Sequence, residues 1–550
     1  MFRNTLLGAA IALIGLTVIL TWPQALHLAS AVPDHDDPFL SMWRLGWIAH
    51  ALPSDPARLF DGNIFYPNAR TLAYSDATLF EGLIAAPWLW VHANPVLIYN
   101  LLLLTGIVSS GVGMFVLVRH LTRDPDAALV SAAVFTLAPY RIEHFMHLEL
   151  QWTVWMPLTF WAVHRVFEKA SVRRGLVVGL LLSLQLLSSI YYGVFLALMV
   201  AVLVVLLAAS RGAEARAAVL PLCAGALVAV IVASMYSLPY IDSARVVGTR
   251  AEAEAASYSA QIASYFAAPQ QNWLWGWTSF SFQGDELHLF PGVIALFLAA
   301  IGVAGHRRER LVWIYLALAL LAIELSLGMN GTIYRWLYAH SSALQGFRAP
   351  ARFGILAVCA LAVLAGFGFV YLKQRVTASR ALFVTVLVAM GLECGSAPLR
   401  LVEVPRSTPD VYKILQQAQA TPDGSAVIEL PMEAGFNSFY MFWSTRHWRP
   451  LINGYSGYIP RDYDETVKRM QTFPDAASIA RLRALNVGHI LVHEAYYAPR
   501  ERTALVLAML RTPDLTPVGR YRDWIGTTQV FDLRPANPQE SAASRSLNAP

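Results

Sequence analysis

Two carboxylates stand side by side just past the first apolar run of the chain. Residues 5–21 are hydrophobic, and Asp34-His35-Asp36-Asp37-Pro38 follows within a short stretch. Carboxylates are costly in hydrocarbon, so the cluster belongs at the membrane–water boundary, on the side that the first crossing reaches. At that depth an acid of the cluster, Asp36 or Asp37, is placed to deprotonate a hydroxyl or to ligate a metal. A solvated loop start would have the same composition.

A second concentration lies at Pro139-Tyr140-Arg141-Ile142-Glu143-His144-Phe145-Met146-His147-Leu148-Glu149, where five ionisable side chains crowd a turn between apolar runs. On a helix Glu143, His144 and His147 share a face, and carboxylate with imidazole can hold a divalent metal or meet a phosphate oxygen. A hydrated surface turn is the plainer reading. Arg348 and Arg352, in Gly346-Phe347-Arg348-Ala349-Pro350-Ala351-Arg352-Phe353, offer guanidinium groups suited to bidentate phosphate binding or to snorkelling toward headgroups. Glu286 and His288 sit just before another apolar run, Glu324 lies inside one, and Asp76 follows Tyr74-Ser75. With Arg141, these complete the candidates for a polar cavity.

The elements that must position these residues are mostly apolar. The 550 residues are 56% hydrophobic and 14% charged, against about 25% charged in a soluble protein. The chain reads as a polytopic α-helical membrane protein. Its net charge of +5 comes from basic residues in short loops and gives no reason to expect nucleic acid. Cys223, Cys359 and Cys394 form no CxxC pair and no zinc spacing, and read as buried hydrophobes.

Apolar runs at 5–21, 96–118, 126–139, 150–167, 175–190, 193–209, 217–238, 289–304, 311–329, 352–372 and 381–397 predict about eleven transmembrane helices. Arg3, Arg119, Arg123, Lys169, Arg173, Arg174, Arg211, Arg216, the 306–310 run, Lys373, Arg375 and Arg380 then share one side, which the positive-inside rule makes cytoplasmic. The N-terminus is cytoplasmic on this reading. An odd number of crossings leaves the C-terminal portion outside. Ala29-Ser30-Ala31 imitates a signal-peptide cleavage site, but an uncleaved first helix suits the long apolar run better. Long exterior segments are expected at 22–95, 239–288 and 330–351. No GxxxxGK[ST] or GxGxxG motif occupies the short cytoplasmic loops, which disfavours a cytosolic nucleotide-sugar enzyme.

A membrane domain is therefore expected over 1–398, an extracytoplasmic α/β domain over 399–535, and a disordered tail over 536–550. In the second domain 425–430, 489–493 and 527–533 predict strands. Residues 409–420, 462–472, 476–485 and 499–511 predict helices. Trp43-Arg44 and Trp47 have the spacing of an interfacial amphipathic helix.

Several of these stretches carry a family likeness. Asp37-Pro38-Phe39 with Trp43-Arg44-Leu45-Gly46-Trp47-Ile48-Ala49-His50 resembles the start of bacterial GT-C glycosyltransferase-like membrane proteins, near the YfhO-like group. So do Asn63-Ile64-Phe65-Tyr66-Pro67, the 94–100 stretch, Ala138-Pro139-Tyr140-Arg141, His147 through Trp155-Met156-Pro157-Leu158, and 347–353. Residues 444–450 and 453–458 resemble exterior domains attached to such enzymes.

The resemblance implies a GT-C-like fold in a bacterial inner membrane. It also implies inverting transfer of a hexosyl or pentosyl group from a polyprenyl-phosphate sugar to an extracytoplasmic glycan, lipid or protein. By the same resemblance Asp37, or Asp36, is the base or metal ligand, and Glu143, His144 or His147 supplies the second polar group. Arg348 and Arg352 hold the donor phosphate. The second loop lacks the family's aspartate, so a divalent metal (Mg²⁺ or Mn²⁺) stays open as a cofactor. A lipid-linked glycan transporter would instead place charge along the membrane path. A non-catalytic glycan-binding scaffold is the other alternative.

Overall fold

The computed structural model describes residues 2–248, 250–281, 286–417 and 425–534. The tail expected at 536–550 lies outside them. Contacts group the chain into two units, one of residues 1–34, 76–238 and 249–402, the other of residues 35–75, 239–248 and 403 onward. A single cut after residue 398 does not produce this grouping, because most of the first long loop joins the C-terminal portion.

The first unit is helical. Each of the eleven apolar runs overlaps a helix, from Phe2–Leu20 to Ser379–Glu393. Among the described residues four helices are long and apolar enough to cross a membrane: Pro95–Thr122, Ile190–Arg211, Glu214–Val247 and Pro350–Lys373.

The helix starts follow from local chemistry. Asn94 precedes Pro95 and accepts the Val96 N–H, while Asp124 precedes Pro125 and accepts the N–H groups of Asp126 and Ala127. Lys373 then reaches Asp124 at 2.8 Å and Asp126 at 2.7 Å, tying the end of one helix to the start of another. Glu393 does the same from a distance in sequence. Its buried carboxylate accepts the N–H groups of Val293 and Ile294 at 2.7 and 3.1 Å.

Val293–Gly305 packs along Gly354–Lys373 at glycines. A Cβ on Gly302 would lie 2.2 Å from the Leu364 carbonyl oxygen, and one on Gly368 would lie 1.8 Å from that of Leu298. Only glycine allows that approach, as at many helix crossings in membranes.

The second unit is built on a four-stranded sheet: β1 (Ala426–Leu430), β2 (Val487–His493), β3 (Leu515–Asp523) and β4 (Gly526–Leu533), in spatial order β1-β2-β4-β3. β1 and β2 are parallel, and the β2–β4 and β4–β3 pairs are antiparallel. The helices between β1 and β2 make the crossover that a parallel pair requires. Beyond β1 the sheet is prolonged irregularly: Val427 N–H donates to the Pro450 carbonyl, and Leu451 N–H to that of Asn63.

Asn63-Ile64-Phe65-Tyr66 is thus stitched by its backbone to 451–453. Asn63 donates further to Ser444 Oγ and the Arg449 carbonyl, and accepts from Trp43 Nε1 at 3.0 Å. The Asp37–Ser54 helix packs on Ala434–Ser444, with the Phe39 ring 5.7 Å from Phe439 and 5.4 Å from Phe442. Phe39 and Trp43 are 2% and 1% exposed, each burial contributing roughly 2–3 kcal/mol. Trp43 and Arg44 are core residues of this unit, so the pattern that suggested an interfacial helix serves internal packing here.

Candidate functional site

The acid pair belongs to the second unit. Asp36 is the N-cap residue of the Asp37–Ser54 helix, Asp37 opens its first turn, and Pro38 follows. A carboxylate there is favoured by the unpaired N–H groups of the helix start. Ser438, on the facing Ala434–Ser444 helix, donates to Asp36 Oδ1 at 3.0 Å, and the Tyr455 hydroxyl lies 3.5 Å from Asp37 Oδ1. Both acids are half-buried. Hydroxyl donors thus orient two carboxylates that keep access to the surface, an arrangement able to receive a proton from an alcohol.

The remaining candidates lie in the first unit. Arg352, in the turn that starts the Gly354–Lys373 helix, grips Glu286 with two parallel bonds, Nε to Oε2 at 2.7 Å and Nη2 to Oε1 at 2.6 Å. Both residues are 5% exposed, and the Tyr191 ring lies 4.7 Å from the guanidinium carbon. Glu286 has φ +70°, a left-handed backbone conformation that a non-glycine residue adopts at a cost. Burial alone would raise its carboxyl pKa, but the Arg352 charge and hydrogen bonds outweigh burial and hold it down at about 2.

Glu143 ends the short Tyr140–Glu143 helix and meets His288 Nδ1 at 2.7 Å, while its Oε1 also accepts the Glu286 N–H at 3.2 Å. His144 follows, 1% exposed, with its ring 4.4 Å from that of Tyr140 and 5.7 Å from that of His147. Neither of its ring nitrogens has a hydrogen-bond partner among the described residues. Burial pushes its pKa down to about 3 against the pull of Glu286, so the imidazole is neutral. Tyr140 and Tyr192 share a 3.0 Å hydroxyl contact.

The structure therefore brings together Glu143, His144, His147, Glu286, His288 and Arg352. Arg348 is next to them in sequence and half-buried, its guanidinium 5.1 Å from the Tyr258 ring and its N–H on the Tyr191 hydroxyl at 3.1 Å.

Three candidates hold the fold instead. Arg141 is spent on the Phe135 carbonyl at 2.7 Å and Thr153 at 2.9 Å, locking its turn. Glu324 caps the Ile333–His340 helix by accepting the Thr332 and Ile333 N–H groups, both at 2.6 Å. Asp76 accepts from Ser189 Oγ at 2.9 Å and Ile190 N–H at 2.7 Å, fixing the start of the Ile190–Arg211 helix. Burial, reinforced by the charge of Glu149, raises its pKa to about 6.

Tyr191, Tyr192 and Ser438 are contributors that the sequence reading passed over. The signal for the tyrosines was Ser188-Ser189-Ile190-Tyr191-Tyr192, a hydroxyl-rich break between two apolar runs.

Among the described residues no three His, Cys, Asp or Glu side chains gather as a metal-ion set. Glu143 and His288 are paired with each other, and the metal considered from sequence stays unassigned. No step is derived through one.

No family model and no curated protein matches the sequence. Solved structures do match its fold. The arabinofuranosyltransferase AftD from Mycobacteria superposes with TM-score 0.63 at 15% identity, covering 97% of this chain and 40% of that one. The chain thus spans well under half of AftD. The archaeal oligosaccharyltransferase AglB from Archaeoglobus fulgidus, solved with an inhibitory peptide and a dolichol-phosphate, superposes with TM-score 0.54 at 14% identity over 96% of this chain and 73% of that one.

The chain shares its fold with these two solved structures. Within this shared fold the acid pair falls in one unit, and the arginine and histidine cluster falls in the other.

Proposed function

We propose that the protein is a membrane glycosyltransferase that moves a sugar from a polyprenyl-phosphate donor to an extracytoplasmic glycan, lipid or protein. The observation that carries this reading is a carboxylate pair, oriented by hydroxyl donors at a helix start, in a chain of GT-C-like fold. Asp37 accepts the proton of the acceptor hydroxyl as that oxygen attacks the anomeric carbon. The bond from that carbon to the phosphate oxygen breaks, with inversion, and polyprenyl phosphate leaves as a stable anion that needs no strong acid.

Arg348 and Arg352 neutralise the leaving phosphate. Glu286 holds Arg352 in orientation, and the guanidinium N–H groups outside that pair remain for phosphate oxygens. The eleven helices cross a bacterial plasma membrane, with the N-terminus cytoplasmic and the C-terminal portion extracytoplasmic.

The test uses membranes containing the protein, a panel of labelled polyprenyl-phosphate hexoses and pentoses that includes arabinofuranose, and extracted envelope acceptors. Labelled product that requires the protein supports the reading. A panel without product, under conditions where the protein is folded and binds polyprenyl phosphate, sinks it.

A further inference from the structure

The far end of the helix that begins at Asp37 carries a groove the proposed chemistry does not use. It has a volume of about 210 Å³ and is lined by Trp47, His50, Ser54, Asp55, Arg58 and Asp61. His50 lies 13 residues after Asp37, hence about 20 Å along the helix at ~1.5 Å per residue. The groove is therefore separate from the acid pair.

Its wall is built. Trp47 is held against Trp43, with centroids 6.4 Å apart and planes 15° apart, and its Nε1 donates to the Leu59 carbonyl at 2.7 Å. Trp448 stacks on His50 with centroids 4.4 Å apart and approaches Trp47 edge-on at 5.8 Å. Trp448 has φ +50°, a conformation an aromatic residue keeps only where its surroundings enforce it. Burial beside the indoles lowers the His50 pKa.

The rim is polar and open. Asp55 is exposed, and the Arg58 side chain is 75% exposed, 4.0 Å from Asp61. Asp61 Oδ1 is taken by the Arg70 N–H, which leaves Oδ2 on the Arg58 side. Ser54 donates to the His50 carbonyl at 2.7 Å, so its oxygen can still accept.

An aromatic wall beside two carboxylates, a guanidinium and a hydroxyl suits a ligand with an apolar face and a girdle of hydroxyl groups. Asp55 and Asp61 are balanced by Arg58 and by Arg70, whose guanidinium lies 3.6 Å from Asp61, so the rim carries no net charge to favour an anion over a neutral ring.

We propose that this groove binds a ring of a neutral glycan, so that the acceptor is an extended sugar chain gripped some distance from its reacting end. This deepens the proposed function and rests on it for the word acceptor, but the binding itself can be tested alone.

The experiment is a binding titration of the purified full-length protein in nanodiscs. The probes are neutral oligosaccharides from two to six rings long, a matched uronic-acid series, and the double variant Asp55→Asn/Arg58→Ala. Both changed side chains are exposed, so the fold should survive, and an unchanged melting temperature would confirm that. Expected are saturable binding of the longer neutral chains, at least tenfold weaker binding by the double variant, and no preference for the acidic series. Absence of neutral binding, binding unaffected by the double variant, or preference for the acidic series would each overturn the proposal. Asp37→Asn should bind like wild type. If neutral chains bind and no donor panel supports transfer, the groove stands and the transferase reading falls.

Discussion

Each unit buries an acid–base cluster, and the two are built differently. In the second unit Glu429 on β1, fully buried, accepts from the Tyr412 hydroxyl at 2.7 Å and meets His493 Nε2 on β2 at 2.6 Å, while Thr528 on β4 reaches His493 Nδ1 at 3.1 Å. Every member sits on a regular element. In the first unit Glu143 ends a short helix, Glu286 and His288 lie in a loop, Arg352 lies in a turn, and His144 has two unpartnered nitrogens among the described residues. A network fixed across paired strands locks register and has little freedom to exchange partners. One assembled from loop and helix ends can trade a partner for a ligand. Burial of charge alone does not mark a site; the support beneath it does.

Removing a strand-borne partner should have the largest effect. Glu429→Ala leaves His493 and Tyr412 buried without their acceptor and should destabilise the second unit by about 3–5 kcal/mol, read as a lower unfolding midpoint and early proteolysis after residue 403. A fully stable variant would erase the contrast. Next comes Arg352→Lys, which keeps the charge but loses the planar fork. Transfer should fall by about 10²-fold while the melting temperature moves by only a few degrees. Equal losses of stability and activity would make this cluster structural, like the first.

The pH dependence separates acids within the first unit. Asp76 has its folded pKa raised to about 6, so the folded state holds a proton that the unfolded chain gives up near pH 4. Stability should therefore fall as pH rises from about 4 to 6, by about 2 kcal/mol, and Asp76→Asn should flatten that decline. Glu286 has the opposite sign. Its pKa of about 2 contributes stability that is present above its unfolded pKa and lost as pH falls from about 4.5 toward 2. Melting temperatures against pH for wild type and Asp76→Asn check both. The smallest effect is expected at Glu324, a cap only. Glu324→Ala should cost about 1 kcal/mol, with transfer per folded molecule within about twofold of wild type.

Much of this architecture was legible because it is local. The apolar runs and capped starts at Asn94 and Asp124 are written in short windows, as are β1, β2 and β4, short runs rich in β-branched residues. β3 was missed because Pro517 and Gly519 break its pattern, which is tolerated only because it is the edge strand. Gathering 35–75 with the C-terminal portion was not legible. It rests on Asn63 and Phe65 pairing with residues nearly four hundred positions away, and no window contains both partners.

At the site, the residue types in 139–149 and 284–292 drew attention to stretches whose side chains lie together in the structure. Their pairing, Glu143 with His288 and Glu286 with Arg352, depends on which ends of separate helices meet. Arg141 and Glu324 looked equally chemical in sequence, and the structure engages them with local partners: the Phe135 carbonyl and Thr153 for Arg141, the Thr332 and Ile333 N–H groups for Glu324.

The most direct test of the account is sugar transfer from labelled polyprenyl-phosphate donors in membranes holding wild type or Asp37→Asn at matched expression, with donor binding measured alongside. The account predicts at least a 10²-fold loss of transfer with donor binding retained. Transfer by Asp37→Asn at the wild-type rate would contradict it.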